Sequence, residues 1–370
     1  MSARRRLIGL LATASLGFAA CSGSAASPST TPGTTWTKVS DTQALKGVLL
    51  NGVAYGSSGF AAVGSFALEG VVLVSSDGSA WTRLAGDAFS KVYLTSVAAD
   101  GGGFIAVGNQ CGNGGGKCVG AKILRSADGR SFRDIPLAGL DVVLTTVVVG
   151  GPSYIAAGGR LDCLPGVDQS TCGAVFFSPD GETWTAATEG PQWDDSQVNA
   201  AVPGGPGLVA VGYASTADRA VAWTSPNGKD WQRSADSPAF DKSGMSAVIR
   251  GGPGFLAVGW AGGQGAGAAV WTSPDGIAWA RVPDSPELAG AQMQSVVKLG
   301  AGYAAVGWNP TGAVAWTSPD GTTWKKAPNS VSFADVEMVS LAAGGKVVVA
   351  VGPATPSGNA TAIWTTALPK

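Results

Sequence analysis

Two short segments decide the fold, and both are clearest between Phe255 and Trp279. The first is Phe255-Leu-Ala-Val-Gly259, and the second is Ser273-Pro-Asp-Gly-Ile-Ala-Trp279, which follows the apolar run Ala268-Ala-Val-Trp-Thr272. The first segment occurs seven times, at 60–64, 104–108, 154–158, 208–212, 255–259, 303–307 and 348–352. The second, Ser-x-Asp/Asn-Gly-x-x-Trp/Phe, occurs six times, at 75–81, 126–132, 178–184, 225–231, 273–279 and 318–324. The chain is therefore a series of repeats.

The repeat length and the strand pattern predict the architecture. Units of about 45–54 residues, each with several short apolar strands separated by Gly- and Pro-rich turns, are typical of β-propeller blades. We predict an all-β, seven-bladed β-propeller with four antiparallel strands per blade. The glycine that ends each copy of the first segment is expected where close packing or a positive φ excludes a side chain.

The two ends of the repeat region complement each other. Thr361-Ala-Ile-Trp-Thr-Thr366 matches a third strand, but no fourth strand follows it. The missing element is at the other end, where Thr34-Thr-Trp36 matches Thr322-Thr-Trp324 without a blade in front of it. We therefore predict that the N-terminal strand closes the last blade and leaves no free sheet edge.

Three segments are expected along the chain: residues 1–20 as a signal peptide, 21–33 as a flexible Ser/Thr/Pro/Gly tether, and 34–370 as the propeller. The basic start Met1-Ser-Ala-Arg-Arg-Arg6 and the short apolar stretch after it are typical of export signals. Phe18-Ala-Ala-Cys21 resembles the end of a bacterial lipoprotein signal, with Phe where that family usually has Leu. The resemblance implies lipidation of Cys21; the alternative is an ordinary signal cleaved nearby.

The Ser-x-Asp-Gly-x-x-Trp segment resembles the Asp box, or BNR repeat, of sialidases and related propellers, with one residue fewer between Asp and Gly. In that family the motif joins the third and fourth strands of a blade. We expect a structural role, in which the side chain accepts backbone N–H bonds across the turn. A metal or substrate site is the alternative, but these residues lie on six separate blades. They are Asp77, Asp128, Asp180, Asn227, Asp275 and Asp320.

Four cysteines fall in two equivalent loops. Cys111 and Cys118 lie in one, and Cys163 and Cys172 lie in that of the next blade. Four cysteines allow three pairings, and the short-range pairs 111–118 and 163–172 fit hairpin loops best. Binding of a metal by four thiols is the alternative, but the pairs lie on different blades and no CxxC is present.

Composition excludes several kinds of function. Without the three leader arginines the chain has 21 basic and 25 acidic side chains and no basic stripe, so nucleic acid is not an expected partner. The chain contains no histidine, which excludes Ser-His-Asp and Cys-His catalysis and His-ligated zinc. We expect no cofactor and no metal.

The regular pattern breaks in the loops between second and third strands and in the connections between blades. Propellers usually bind ligands at the face that carries these loops. Aromatic and charged residues there suit a glycan or a peptide; the alternative is that the aromatic residues only cover the blade ends. The candidate ligand-binding residues are Arg160, Trp193, Asp194, Asp195, Tyr213, Arg219, Trp260 and Trp308.

Blade count and turn motif also resemble the seven-bladed propellers of photosystem II assembly factors, which implies a non-enzymatic module. We therefore predict a monomeric, lipid-anchored, extracytoplasmic propeller that binds a protein or glycan at the outer face of the bacterial cytoplasmic membrane. The alternative is an exo-acting glycoside hydrolase of the sialidase type. Such enzymes use three arginines, a Tyr nucleophile with a Glu partner, and an Asp acid/base. Arg160, Arg219, Arg250 and Tyr213 are the nearest matches, but no Glu accompanies the tyrosine.

Overall fold

A computed structural model describes residues 35–40, 43–112, 118–137, 141–161, 163, 171–263, 266–300, 302–328, 333–353 and 361–368. The predicted signal peptide, the tether and Cys21 lie outside these residues. The described residues belong to one compact unit, which spans 31–370. They contain no helix long and apolar enough to cross a bilayer.

The unit is a ring of seven four-stranded antiparallel sheets, as predicted. In six blades the strands pair in chain order, so the first strand is innermost and the fourth outermost. Blade one contains β2 (Leu49–Gly56), β3 (Gly59–Phe66), β4 (Glu69–Ser75) and β5 (Thr82–Arg83). Blade two contains β6 (Val92–Asp100), β7 (Gly103–Cys111), β8 (Cys118–Ser126) and β9 (Arg133–Ile135). Blade three contains β10 (Val142–Val148), β11 (Tyr154–Leu161), β12 (Thr171–Ser178) and β13 (Thr185–Ala186).

The remaining blades repeat this arrangement. Blade four contains β14 (Gln197–Gly204), β15 (Gly207–Ala214), β16 (Arg219–Ser225) and β17 (Gln232–Arg233). Blade five contains β18 (Ser243–Gly251), β19 (Gly254–Ala261), β20 (Gly267–Ser273) and β21 (Ala280–Arg281). Blade six contains β22 (Gln292–Leu299), β23 (Gly302–Asn309), β24 (Gly312–Ser318) and β25 (Lys325–Lys326). Blade seven contains β26 (Ser340–Gly344), β27 (Val347–Gly352), β28 (Ala362–Ala367) and β1 (Thr37–Lys38). Short 3₁₀ helices occur at Asp87–Phe89, Pro191–Trp193 and Pro238–Phe240.

Blade seven confirms the predicted closure. Thr37 of β1 lies opposite Thr365 of β28, and Lys38 lies opposite Trp364. The next backbone N–H, that of Val39, donates to the carbonyl of Ile363 at 2.8 Å. The first and last parts of the propeller thus share one sheet, so the ring cannot open without breaking these bonds.

The apolar core lies between the blades rather than at the centre of the ring. A typical cluster joins Val209 and Val211 of blade four to Trp271 and Trp279 of blade five. Trp271 is fully buried on the third strand, and its Nε1 donates to the carbonyl of Ala239 at 2.7 Å. Tryptophans occupy the equivalent site in blades four, six and seven, at Trp223, Trp316 and Trp364.

The glycine that ends each copy of the repeated strand faces a backbone carbonyl in the first strand or just before it, and in six blades a β-bulge lies at this point. In blade five the register of β18 against β19 shifts between Met245 and Ala247. A Cβ on Gly259 would therefore lie 1.9 Å from the carbonyl oxygen of Gly244 in the same blade. The equivalent distances at the other six glycines are 1.8–2.2 Å, and none of the seven has a positive φ. The side chain is excluded by a close backbone approach within the blade, and not by packing between blades.

The bulged residues form a belt of hydrogen bonds between the innermost strands. In blades one to four the bulged residue uses its side chain to reach a carbonyl of the following blade. The belt bonds are Asn51 Nδ2 to Leu94 O at 2.7 Å, Thr95 Oγ1 to Leu144 O at 2.8 Å, Thr145 Oγ1 to Val198 O at 2.6 Å, and Asn199 Nδ2 to Met245 O at 2.9 Å. The centre of the ring is therefore held by polar contacts.

One end of the blades, which we call the turn face, carries the turns between first and second strands and the six Ser-x-Asp-Gly turns. In blade five, Asp275 Oδ1 accepts N–H bonds from Ile277 at 2.8 Å and Ala278 at 3.0 Å. The N–H of Gly276 donates to Ser273 Oγ at 2.8 Å, and Trp279 Nε1 donates to the Gly276 carbonyl at 3.0 Å. The other five turns repeat the two bonds to the Asp or Asn side chain.

These bonds favour the ionised carboxylate. Backbone N–H groups, helped by the hydroxyl of Ser79, lower the pKa of Asp77 to about 2. They also lower the pKa values of Asp128, Asp180, Asp275 and Asp320. Each carboxylate is thus engaged inside its own turn.

Candidate functional site

The opposite end of the blades, which we call the loop face, carries the loops between second and third strands and the connections between blades. Both disulfides lie there, Cys111–Cys118 in blade two and Cys163–Cys172 in blade three. The predicted short-range pairing is confirmed. Disulfides are typical of oxidising compartments outside the cytoplasm, so they point to an extracytoplasmic location.

A row of aromatic residues lies on the loop face of three consecutive blades. Tyr213, Trp260 and Trp308 each follow directly after the bulge glycine of the second strand. The rings of Tyr213 and Trp260 meet edge to face, with centroids 5.1 Å apart. Trp260 is only 7% exposed, whereas Tyr213 and Trp308 are partly exposed. We call these three residues the aromatic row.

Tyr213 is held in its protonated form. Its hydroxyl donates to Asp218 Oδ1 at 3.0 Å. Burial, together with the hydrogen bond and charge of Asp218, raises the pKa of Tyr213 to about 12. A phenol with a raised pKa stays protonated at neutral pH and is therefore a poor nucleophile.

Asp195 stabilises the loop between β15 and β16, which follows Tyr213. Its Oδ1 accepts from the Ser215 hydroxyl at 3.2 Å and the Thr216 N–H at 2.9 Å, and Oδ2 accepts from Ala217 N–H at 3.0 Å. Asp195 itself has a φ of +47°, a conformation that costs roughly 1–2 kcal/mol for a residue with a side chain. Both of its oxygens are therefore used in holding the loop between β15 and β16.

Three other predicted residues meet in a separate pocket of about 210 Å³, formed by Arg160, Trp193 and Asp194 together with Glu189 and the start of β12. Arg160 Nη1 lies 3.4 Å from Glu189 Oε1 in an exposed ion pair. The Asp194 carbonyl accepts a bond from Arg233 at 3.0 Å. This pocket lies on blade three, apart from the aromatic row.

Trp193 has a structural role that recurs in the fold. It is 5% exposed and packs against Trp223 and Trp231, with ring centroids at 5.5 and 6.0 Å. A buried apolar residue occupies the same site in the other described connections. These residues are Leu45, Phe89, Phe240, Leu288 and Phe333. Trp193 looked distinctive in the sequence because this weaker repeat was not recognised. The pattern that could have revealed it is Gly/Ser-Pro-x-apolar, which occurs in three of the connections.

Arg219 is paired with two aspartates at the surface. Its Nη1 lies 2.6 Å from Asp236 Oδ2, and its Nη2 lies 3.2 Å from Asp241 Oδ1. Arg250 is exposed at the other end of its blade, beside the turn between β18 and β19. Arg160, Arg219 and Arg250 therefore do not form the three-arginine cluster that a sialidase-type enzyme would need.

Glu337 is not placed to form an acid/base pair with Asp194 or Asp195. Burial raises the pKa of Glu337, but this residue is in blade seven, whereas Asp194 and Asp195 lie between blades three and four. Within the described ranges no group of three or more Cys, Asp or Glu side chains is placed to hold a metal ion.

One charged network was not predicted from the sequence. On the turn face, the buried Asp100 accepts from Arg125 Nε at 2.7 Å and from the Tyr154 hydroxyl at 2.9 Å. Arg125 also bonds Glu182 at 2.7 Å, so blades two and three are joined. Every member has a partner, which indicates a structural clamp. The residues are too far apart in the sequence to have suggested it.

Comparison with known proteins supports the fold. No family model matches the chain. No curated protein matches it either. Among solved structures, "YCF48 bound to D1 peptide" has a TM-score of 0.60 at 14% identity, over 91% of this chain and 95% of that one. A streptogramin B lyase has a TM-score of 0.60 at 12% identity, over 90% and 98%.

A third similar structure is a catalytically inactive histidine-to-alanine variant of virginiamycin B lyase from Staphylococcus aureus with quinupristin. Its TM-score is 0.57 at 11% identity, over 90% of this chain and 99% of that one. At such low identities the likeness extends to the propeller fold alone.

Proposed function

We propose that this protein is a non-enzymatic, lipid-anchored, extracytoplasmic binding module whose loop face holds a segment of another protein at the cell envelope. The aromatic row is the main support for the proposal. At the position after the bulge glycine, three neighbouring blades have an aromatic residue, namely Tyr213, Trp260 or Trp308, whereas the other four blades do not. Aromatic side chains offer a large apolar contact area together with hydrogen-bonding groups, as at many protein interfaces.

A protein partner is favoured over a catalytic role by the chemistry of the loop face. Tyr213 remains protonated, Asp195 is committed to its loop, and Arg219 is committed to two aspartates. The chain has no histidine, whereas one lyase of this fold is described as inactive when a histidine is replaced. Another propeller of this fold is described with a bound peptide.

The location rests on the leader and the disulfides. A lipid on Cys21 and a tether over residues 22–33 would hold the propeller at the membrane surface. Two disulfides fit the same side of the membrane. Labelling with a radioactive fatty acid should mark the wild type and not a Cys21→Ala variant. Equal labelling of both would remove the lipid anchor from the proposal.

The binding role is tested by capture from envelope extracts. We expect the wild type to retain a protein partner saturably, and Tyr213→Ala and Trp308→Ala to weaken the interaction at least about tenfold, the loss typical of truncating one interface aromatic. Tyr55→Ala is the matched control, because Tyr55 is a 39%-exposed aromatic residue on the turn face. Unchanged capture by both loop-face variants would contradict the proposal.

The same preparation should be tested on a glycan array and on fluorogenic glycosides. Turnover of a glycoside, abolished by Tyr213→Phe, would replace the binding role with the glycosidase alternative. Saturable glycan binding without turnover would keep the binding role and change the partner.

A further inference from the structure

Blade five has a pocket of about 430 Å³ at its outer edge on the loop face. Its walls are formed mainly by small residues at the end of β19, the start of β20 and the connection to blade six. The walls include Ala261, Gly262, Gly267, Ala268, Leu288 and Ala289. A volume of this size is sufficient for one large side chain of a ligand.

We propose that this pocket receives an uncharged, apolar side chain of the bound protein segment, such as that of Leu or Phe. The inference rests on the proposed function, because it assigns a contact of the same partner. It is carried by a comparison with blade four, where the same position is filled from within the chain.

In blade four, the first residue of the third strand is Arg219, which forms a β-bridge with Asp241. Its guanidinium reaches both Asp236 and Asp241. In blade five, the bridge joins Gly267 and Ala289 instead. Both charged partners of the blade-four contact are thus replaced by residues that have little or no side chain, and a pocket is present there.

The replacement also fixes the chemistry of the occupant. Asp284 is the blade-five equivalent of Asp236, but it already pairs with Arg281 at 2.6 Å. The floor of the pocket therefore has no unpaired carboxylate that could receive a guanidinium. At the rim, Asp241 already pairs with Arg219, and both Asp241 and Lys242 are exposed to solvent, where charges are well screened and contribute little. Ala and Leu walls favour an apolar group.

Blades five and six both have a glycine at the first position of the third strand, but the two glycines differ in the space beside them. A Cβ on Gly267 would meet nothing closer than the Leu288 carbonyl at 3.7 Å. In blade six the equivalent bridge joins Gly312 and Ala334, but a Cβ on Gly312 would lie 2.0 Å from the Phe333 carbonyl. A side chain at this position would thus fit in blade five, whereas in blade six, where Gly312 has a φ of +142°, it would clash with the backbone.

The pocket lies on the same end of the blades as the aromatic row. Ala261 directly follows Trp260 in β19, and Trp260 packs over Gly244 at the inner end of the blade. Trp260 is buried, so a protein segment that lies across blade five would contact the partly exposed Tyr213 or Trp308 of the neighbouring blades and place one side chain in the pocket. The pocket would then select the partner's side chain, while the row contributes general affinity.

The test uses N-acetyl amides of single amino acids as probes, observed on the full-length protein by saturation-transfer NMR. We expect the Phe and Leu amides to bind and the Arg and Asp amides to give no signal. The double variant Gly267→Arg/Ala289→Asp recreates the blade-four filling, and it should weaken the apolar probes at least about tenfold, as expected for one buried apolar side chain. Gly267→Leu, which fills the pocket without charge, should do the same.

Gly300→Arg is the control, because a Cβ on Gly300 meets nothing within 4 Å. It should bind the probes like the wild type. The inference is overturned if both filled variants bind the apolar amides normally, if the charged amides bind as tightly, or if no amide binds. Normal capture of the envelope partner by a folded Gly267→Leu variant would remove the pocket and leave the proposed function intact. Binding of the apolar amides without capture of any partner would support the pocket and contradict the proposed function.

Discussion

The two ends of the propeller are built from the same seven repeats but have diverged to very different extents. On the turn face, six turns use the same bonds with almost the same distances, from Asp77 in blade one to Asp320 in blade six. On the loop face, equivalent positions carry Arg219 in blade four, Gly267 in blade five and disulfides in blades two and three.

The difference shows where the sequence is constrained by the fold alone. A turn whose carboxylate, hydroxyl and indole are all bonded within seven residues has nothing left to bind a partner. A loop supported from outside, as the β15–β16 loop is by Asp195, can change its other residues without loss of the blade. Function in propellers is expected at the second kind of position.

The largest effect should come from opening the ring. Deletion of residues 34–40 removes β1 and leaves β28 as a free edge, and it also uncovers the buried Trp364. We expect the melting temperature to fall by ten degrees or more, since several kcal/mol of packing are lost at once. A circular dichroism melt identical to that of the wild type would refute closure by this strand.

Next in size is the loss of a turn-face tryptophan. Trp279→Ala removes a buried ring from the blade four–five core, and we expect a loss of about 3–5 kcal/mol in urea unfolding. Trp184→Ala is the matched variant, because Trp184 has the same bond to its turn glycine but is partly exposed. It should cost clearly less, and equal losses would contradict this explanation.

A smaller effect is expected at the bulge. Gly259→Ala places a methyl group against the Gly244 carbonyl and should cost about 3 kcal/mol, at the upper end of the usual range for overpacking. Gly300→Ala is the control and should change the free energy of unfolding by less than about 0.5 kcal/mol, as is usual for an open surface position. If both variants unfold at the same urea concentration, the bulge does not require glycine.

The smallest effect concerns pH. The folded-state pKa of Asp77 is about 2, and the usual unfolded value is about 3.9, so the turn adds stability above pH 4 that is lost as the pH falls towards 2. Asp77→Asn should keep the turn bonds, as Asn227 does in blade four, but remove the titration. Its melting temperature should match the wild type at pH 7 and fall less between pH 4 and 2. Identical acid profiles would contradict this assignment.

The repeats predict the turn face well, because each turn is determined by residues within a few positions of one another. Blade number and ring closure follow from counting copies and comparing the ends of the repeat region, and the two disulfides follow from the short spacing of the cysteines within each loop. The bulge is harder to predict, since its register depends on pairing between strands about 15 residues apart, such as Gly244 with Trp260. Only its glycine was visible in the sequence.

The loop face was predicted less well because its residues contact other blades. Trp193 and Arg219 were chosen by residue type, yet one fills the blade three–four core and the other binds two aspartates. The blade-five pocket was not predicted, because the importance of Gly267 emerges only when it is compared with Arg219, the residue at the equivalent position of blade four. Packing between blades, not local pattern, decides which candidates stay accessible.

Site-specific photo-crosslinking in the cells that make this protein compares the two faces in a single experiment. A photoreactive amino acid would replace Trp308 on the loop face in one strain and Ile277, a 54%-exposed turn residue, in another. We expect a discrete covalent adduct with an envelope protein from position 308 and none from position 277. Adducts of equal yield from both positions, or from position 277 alone, would show that partner binding is not a property of the loop face.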